Sequence, residues 1–254
     1  MDSNKKIYFA SDLHLGLPSF EESLKREKLF VKWLDEIKTN AKEIYLVGDI
    51  FDFWFEYKKV VPRGFTRFLG KIAEITDSGI TVHYFTGNHD LWIFDYLPKE
   101  IGVIVHHEPY KFEAYSKKFY VAHGDGLGPY DKGFKRLKMI FTSRPLQWLF
   151  ARLHPNGAIG FGQAWSHHNR THEKSDTYQF KGEDKEWLIL YAKDILKSEH
   201  YDYFIFGHRH IPMNIKLSDN STFINLGDWV MNFTFAEFDG ENIFLRKYQN
   251  IISK

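Results

Sequence analysis

Five separated stretches of the chain end alike: a short apolar run stops abruptly at Gly, Asp, His or Asn. Ile7-Tyr8-Phe9-Ala10 runs into Ser11-Asp12-Leu13-His14, and Ile44-Tyr45-Leu46-Val47 into Gly48-Asp49. Thr81-Val82-His83-Tyr84-Phe85 precedes Gly87-Asn88-His89-Asp90, a run ending at Ala122 precedes His123-Gly124-Asp125, and a run ending at Phe206 precedes Gly207-His208-Arg209-His210. Short runs rich in aliphatic and aromatic residues, closed by such turn formers, read as buried strands. In open α/β sheets the ligand crevice lies beyond the carboxyl ends of the strands. The pattern therefore delivers Asp12, His14, Asp49, Asn88, His123, His208 and His210 to one edge of the molecule.

The stretches between these runs set the fold class. Leu24, Phe30, Val31, Leu34 and Ile37 predict a helix over 23–39, and a second is predicted over 64–77 with Gly79 as its stop. Strand, helix, strand, helix, strand is an α/β pattern with a parallel sheet. Later runs, at 110–114, 118–122, 203–206, 215–217, 222–226, 234–238 and 243–248, are spaced for a mixed or antiparallel sheet, with a helix over 184–198. The expected architecture is two sheets face to face with helices outside, one domain over 1–254, with 126–180 inserted as a helical cap. A chain of 254 residues can bury a core without a covalent staple. The lack of cysteine excludes a disulfide scaffold, a thiolate zinc cage, an iron–sulfur cluster and a cysteine nucleophile. The N-terminus carries no signal-peptide pattern and apolar runs fall short of the roughly 18–20 residues that span a bilayer, so the expectation is a soluble, cytoplasmic chain.

Two Asp, four His and one Asn are the donors at the strand ends. Imidazole with carboxylate suits Mn, Fe, Co, Ni or Zn. Seven donors exceed what one catalytic zinc takes and suit two divalent ions sharing a bridging carboxylate, roughly 3.5–4 Å apart. Asp-x-His or His-Gly-Asp alone closes many ordinary strands. Gly-Asn-His-Asp and Gly-His-x-His say more, because their polar residues interrupt an apolar strand where no cap is needed. The other histidines, His83, His106, His107, His154, His167, His168, His172 and His200, read as surface or satisfied residues.

Together Asp-x-His, Gly-Asp-x-x-Asp, Gly-Asn-His-Asp, His-Gly and Gly-His-x-His resemble the motif set of the calcineurin-like metallophosphoesterases over essentially the whole chain. The resemblance implies a four-layer αββα sandwich and a binuclear centre. One metal would be held by Asp12, His14, Asp49 and His210, the other by Asp49, Asn88, His123 and His208, with Asp49 bridging. In the family's Ser/Thr protein phosphatases the position of His89 pairs with an Asp placed as Asp52 is. His89 is thereby a candidate general acid or phosphate contact oriented by Asp52; the alternative is that Asp52 only caps the turn after the second strand. Those phosphatases continue with Arg-Gly where Phe53-Trp54-Phe55 stands here, which counts against a phosphoprotein substrate. Asp-Leu-His-Leu-Gly, Gly-Asp-Ile-Phe-Asp-Phe-Trp and His-Gly-Asp-Gly-Leu are similar to the UDP-2,3-diacylglucosamine hydrolases of lipid A synthesis. That resemblance implies cleavage of a lipid-linked UDP-sugar pyrophosphate to UMP and the lipid sugar phosphate (lipid X), commonly with manganese. It marks Asp131, with Asn88, as a substrate contact. Well-known proteobacterial members carry Arg where His89 stands.

The segment after His-Gly-Asp has a charge of its own. Residues 132–172 contain no Asp or Glu but Lys132, Lys135, Arg136, Lys138, Arg144, Arg152 and Arg170, a window of +7 in a chain of net +1. Phe134, Leu137, Ile140, Phe141, Leu146, Trp148, Leu149, Phe150 and Leu153 are interleaved with them. Basic helices with broad apolar content read as membrane-surface or lipid-binding elements. Phe141, Trp148 and Phe150 are the expected acyl-chain contacts, Arg170 a candidate substrate contact, and an anionic membrane a candidate peripheral partner. An ordinary helical cap with solvated charges is the plainer alternative. Pro155-Asn156-Gly157 and Gly160-Phe161-Gly162 suggest sharp turns within the segment. Two further functions stay open: another small-molecule or nucleotide phosphoesterase, which would not prefer acylated substrates, and a nucleic-acid phosphodiesterase, for which the window is rich in apolar residues. A metal-free binding scaffold is disfavoured by the intact donor set.

Overall fold

The two-residue period of a strand decides which layer each side chain joins. The computed structural model describes residues 5–129, 132–171 and 179–248. In β1 (Lys6–Ala10), β2 (Ala41–Val47) and β3 (Thr81–Phe85), the residues Ile7, Phe9, Tyr45, Val47 and Phe85 point to one face. Tyr8, Ala10, Ile44, Leu46, Val82 and Tyr84 point to the other. Both faces are buried, which is why these strands are apolar throughout rather than alternating. β1, β2, β3 and the short β4 (Ile104–His106) run parallel. The second sheet contains β5 (Tyr110–Ala114), β6 (Lys117–Ala122), β7 (Tyr203–Phe206), β8 (Pro212–Ser218) and β9 (Ser221–Leu226) in the order β5-β6-β7-β9-β8. There β6, β7 and β9 run parallel to one another, and β5 and β8 are antiparallel edges. β10 (Thr234–Phe238) and β11 (Ile243–Lys247) return to the first sheet, antiparallel beside β1.

Three packed interfaces make four layers. Ile7, Phe9, Tyr45 and Val47 meet Phe119, Val121, Ile205, Ile224 and Leu226 between the sheets. The outer face of the first sheet packs on helix α1 (Phe20–Ile37) through Phe30, Trp33 and Leu34, and on α2 (Thr66–Asp77) through Phe68, Ile72 and Ile75. Tyr120, Phe204 and Phe206 of the second sheet pack on Leu188, Ile189 and Ala192. The αββα expectation is therefore met. Ser19 caps α1 by accepting from Glu22 N, and Gly79 closes α2 by donating to Thr76 O at 2.9 Å. Between β6 and β7 come α3 (Lys132–Phe141), α4 (Arg144–Phe150), α5 (Pro155–Thr171) and α6 (Trp187–Ile195).

Two local expectations are corrected. The Pro- and Gly-containing stretches at 155–162 are not sharp turns but the continuous start of α5. Pro155 occupies the first helical position, where an N–H is dispensable and its fixed φ is helical. β4 and a π-helical turn at Leu97–Ile101 were not expected, because three to five residues carry too little periodicity to read. Among the described residues no helix is long and apolar enough to cross a membrane.

Candidate metal centre

All five motif loops leave the carboxyl ends of parallel strands β1, β2, β3, β6 and β7, and they meet at one edge of the sandwich. Asp12, His14, Asp49, His208 and His210 all take positive φ, from 45° to 67°. For residues with a Cβ this conformation costs on the order of 1–3 kcal/mol and persists only where surroundings enforce it. Here backbone bonds do so: Asp12 N donates to Gly48 O, His14 N to Asp49 O, and Leu15 N to Ile50 O, each at 2.9–3.0 Å. Gly48 has φ +81°, and a Cβ there would sit 2.4 Å from His123 Nδ1, so only glycine lets the two strand ends close together.

The side chains converge with their back sides tied down. His123 Nδ1 donates to Val47 O at 2.9 Å, while His208 Nδ1 faces Asn88 Oδ1, itself a candidate ligand, at 3.0 Å. His210 Nδ1 faces Asp228 Oδ2 and His14 Nδ1 faces Asp52 Oδ1, both at 3.4 Å. Such partners set the tautomer and aim the other ring nitrogen. His210 Nε2 lies 3.3 Å from Asp12 Oδ1, and His123 Nε2 lies 3.3 Å from Asp49 Oδ2. His14 Nε2 is 3.7 Å from both carboxylates. The result is two neighbouring groups, Asp12 with His14 and His210, and Asp49 with His123 and His208, whose ligand atoms lie within 4.8 Å of one another.

These residues fit divalent cations. Asp12 Oδ1 and His123 Nε2 are buried with no hydrogen bond of good geometry, a cost of about 1–3 kcal/mol each that coordination would relieve. Burial pushes the Asp12 carboxyl up, against the pull of His210 and His123. Burial acts the same way on Asp49, but His123, His89 and His14 outweigh it and hold that carboxyl well below the usual range. His123 is lifted to about 10, the attraction of Asp49 and Asp12 overcoming burial, whereas burial and the charge of His123 depress His208 to about 3.

His89 stands beside this centre. Its backbone N donates to Asp49 Oδ1 at 2.9 Å and its ring meets the edge of His14 at 4.9 Å. It forms a third close group with His14 and Asp49, while its Nδ1 lies 3.0 Å from the Asp52 carbonyl oxygen and 2.9 Å from Ser166 Oγ. Asp52 Oδ1 is 3.6 Å from the same nitrogen, so the structure brings His89 and Asp52 together. Asp131 lies outside the described residues. Arg170 belongs to α5, but its side chain is also outside them.

Three residues to which the sequence reading gave no role hold the site together. Asp90 Oδ1 accepts from Gly87 N at 2.7 Å, and its Oδ2 from Ile50 N at 3.0 Å and Tyr84 OH at 2.6 Å, which clamps two loops together. Burial and the neighbouring Asp49 raise its carboxyl to about 6. Asp228 braces His210, and Leu226-Gly227-Asp228 repeats at the end of β9 the pattern of Val47-Gly48-Asp49, a signal legible in the sequence. Ser166 comes from α5, and nothing in the sequence marks it.

A cavity of about 520 Å³ opens from Asn88, His89 and His208 toward the inserted helices. Leu137, Phe141, Phe150, Phe161 and Trp165 line it together with Trp92. Trp92 Nε1 donates to Phe141 O at 2.7 Å, and Phe150 packs on Phe55 at 4.7 Å, so α3 and α4 rest on the body through aromatic contacts. Of the three aromatics expected at this place, Phe141 and Phe150 line the cavity. Trp148 does not; it is 57% exposed and covered by the Arg152 guanidinium at 4.4 Å.

Residues 5–212 match the family model described as calcineurin-like phosphoesterase. The UDP-2,3-diacylglucosamine hydrolase of Porphyromonas gingivalis is 38% identical over 258 residues, covering 97% of this chain and 98% of that protein. Proteins of the same name from Histophilus somni and Shewanella pealeana are 24% and 23% identical over 89% and 88% of this chain, and 92% and 90% of their own. With paired Asp–His groups at the strand ends and matches spanning nearly its whole length, the chain belongs to the calcineurin-like phosphoesterases, in the family of the UDP-2,3-diacylglucosamine hydrolases.

Proposed function

We propose that the protein is a binuclear metal-dependent pyrophosphate hydrolase that cleaves UDP-2,3-diacylglucosamine to UMP and 2,3-diacylglucosamine 1-phosphate, a step of lipid A synthesis. The observation that carries the substrate is the cavity: apolar rings on one side, Asn88, His89 and His208 on the other, matching a molecule with acyl chains next to a pyrophosphate. Asp12, His14, Asp49 and His210 would hold one ion, and Asp49, Asn88, His123 and His208 the second, with manganese the proposed metal and Fe, Co, Ni or Zn also suited to the donors. Such a pair lowers the pKa of bound water and neutralises the phosphoryl oxygens. The chain's own part is to place the reacting groups. Asp49 would serve both ions, Asp90 and Asp228 keep their neighbours in register, and His89, oriented by Asp52, would offer a proton donor to the phosphate. Asp131 and Arg170 are proposed as further substrate contacts.

The inserted helices support a second part of the reading. With Met139 66% exposed and Leu149 55% exposed among cationic side chains and no acidic ones, they suit peripheral contact with an anionic membrane on its cytoplasmic side. Nucleic acid suits so apolar a surface poorly. The deciding experiment is UMP release by the manganese-loaded protein from UDP-2,3-diacylglucosamine and from UDP-N-acetylglucosamine. Release from the acylated substrate alone is expected. Equal rates on both would favour a general nucleotide-sugar phosphoesterase.

A further inference from the structure

We propose that Ser166, on the inserted helix α5, is a positioning residue for His89 and Asp52, so that this pair is complete only while α5 is seated on the body. The inference rests on the hydrolase reading above and adds a cap residue to the reaction. Ser166 is buried, at 5% exposure, although much of α5 is not. Its Oγ donates to Asp52 Oδ2 at 2.7 Å and lies 2.9 Å from His89 Nδ1. That nitrogen also lies 3.0 Å from the Asp52 carbonyl oxygen, which can only accept. His89 must therefore carry its hydrogen on Nδ1. The serine hydroxyl, with its own hydrogen committed to the carboxylate, is the second acceptor for it. The three groups close a network that fixes both tautomer and ring plane, and it leaves Nε2 as the nitrogen of His89 not engaged by that network.

The seating is close and specific. Gly162 lies one helical turn before Ser166, and a Cβ there would fall 2.2 Å from the Phe53 ring. Phe53 is the residue next to Asp52. The contact between Gly162 and Phe53 thus sets the distance at which Ser166 meets Asp52, which explains a glycine within a helix where Gly costs roughly 1 kcal/mol against Ala. Phe161 and Trp165, on the same turn of α5, line the cavity. A ligand that fills the cavity presses on the helix that carries Ser166, so binding of the apolar part and the readiness of His89 are linked through one element.

Ser166→Ala, Ser166→Thr and Gly162→Val, each in the full manganese-loaded chain, are compared with the parent on UDP-2,3-diacylglucosamine and on bis(p-nitrophenyl) phosphate. The expected result for Ser166→Ala is a fall in kcat of about tenfold or more on both substrates, with KM and bound metal unchanged. Ser166→Thr, which keeps the hydroxyl, recovers most of the loss. Gly162→Val reproduces the loss with the hydroxyl still present; should it fail to fold, the two Ser166 variants decide. Parental kcat in Ser166→Ala, a loss that is confined to KM or accompanies metal release, or a loss that threonine does not restore each overturns the proposal. If the parent cleaves the diester but not the UDP-lipid, the substrate reading fails while the Ser166 comparison still runs on the diester.

Discussion

The metal-site end of the sandwich and the inserted helices are built by opposite means. At the strand ends nearly every functional side chain is buried and held twice, once by strained backbone and once by a partner behind it, as His123 is held by Val47 O and His210 by Asp228. In α3–α5 large apolar side chains stay in the open: Phe161 is 61% exposed and Trp165 50%. The insertion rests on a few contacts, chiefly Trp92 with Phe141, Phe150 with Phe55, Lys138 with Asp125 at 2.8 Å, and Ser166 with Asp52. A reacting centre gains from preorganisation, because misplacement of its groups costs rate directly. A surface that must admit flexible acyl chains gains from weakly held, apolar elements that open at low cost.

The largest effect should come from breaking the rigid half. Asp49→Asn keeps shape but removes the charge that faces His123, His89 and His14. Hydrolysis should fall on the order of a thousandfold, and bound metal, measured by atomic emission after dialysis, to one ion or fewer per chain. Two retained ions with near-normal turnover would refute the assignment. A smaller loss is expected one step further out. Asp228→Asn leaves His210 in place but weakens its brace, so metal affinity in competition with a fluorescent chelator should drop roughly 10- to 100-fold. Unaltered affinity would mean that the strained backbone suffices to aim His210.

On the adaptable half the contrast lies between two aromatics. Burying an aromatic ring is worth roughly 1.5–3 kcal/mol, so Phe150→Ser should raise KM for the acylated substrate about tenfold or more and leave cleavage of a small diester alone. Trp148→Ser, outside the cavity, should change that KM less than about twofold with detergent-dispersed substrate. Similar shifts for both would put the acyl chains on the outer face of the insertion instead of in the cavity. The smallest effect is on stability and comes from His106, which neither binds a candidate cation nor lines the large cavity. His106 is pushed down to about 4, by burial first and by its neighbours His83 and His107 next. The unfolded chain takes up a proton near pH 6.5 and the folded chain does not, so stability falls as pH drops from about 6.5 towards 4. His106→Gln should flatten part of that acid loss in thermal melts, and an unchanged slope would remove His106 from its cause.

The sequence alone determined the ordering of the chemistry along the chain. Apolar runs that halt at Asp-x-His, Gly-Asp, Gly-Asn-His-Asp, His-Gly and Gly-His-x-His are local signals, written within a few residues of each strand, and strand direction brings their ends together. The double-sheet core was legible for the same reason, since burial on both faces leaves runs such as Ile44–Val47 with no polar position. Tertiary structure decided what depends on partners far apart in the chain. Ser166 reaches Asp52 from 114 positions away, and no local pattern distinguishes it from any helical serine. Gly162 reads as a turn until Phe53 is seen against it, and Trp148 and Phe150 read alike until packing turns one outward and the other into the cavity. Local composition encodes what a strand end or helix face can offer; which of those offers meet is settled only when separate layers are packed against each other.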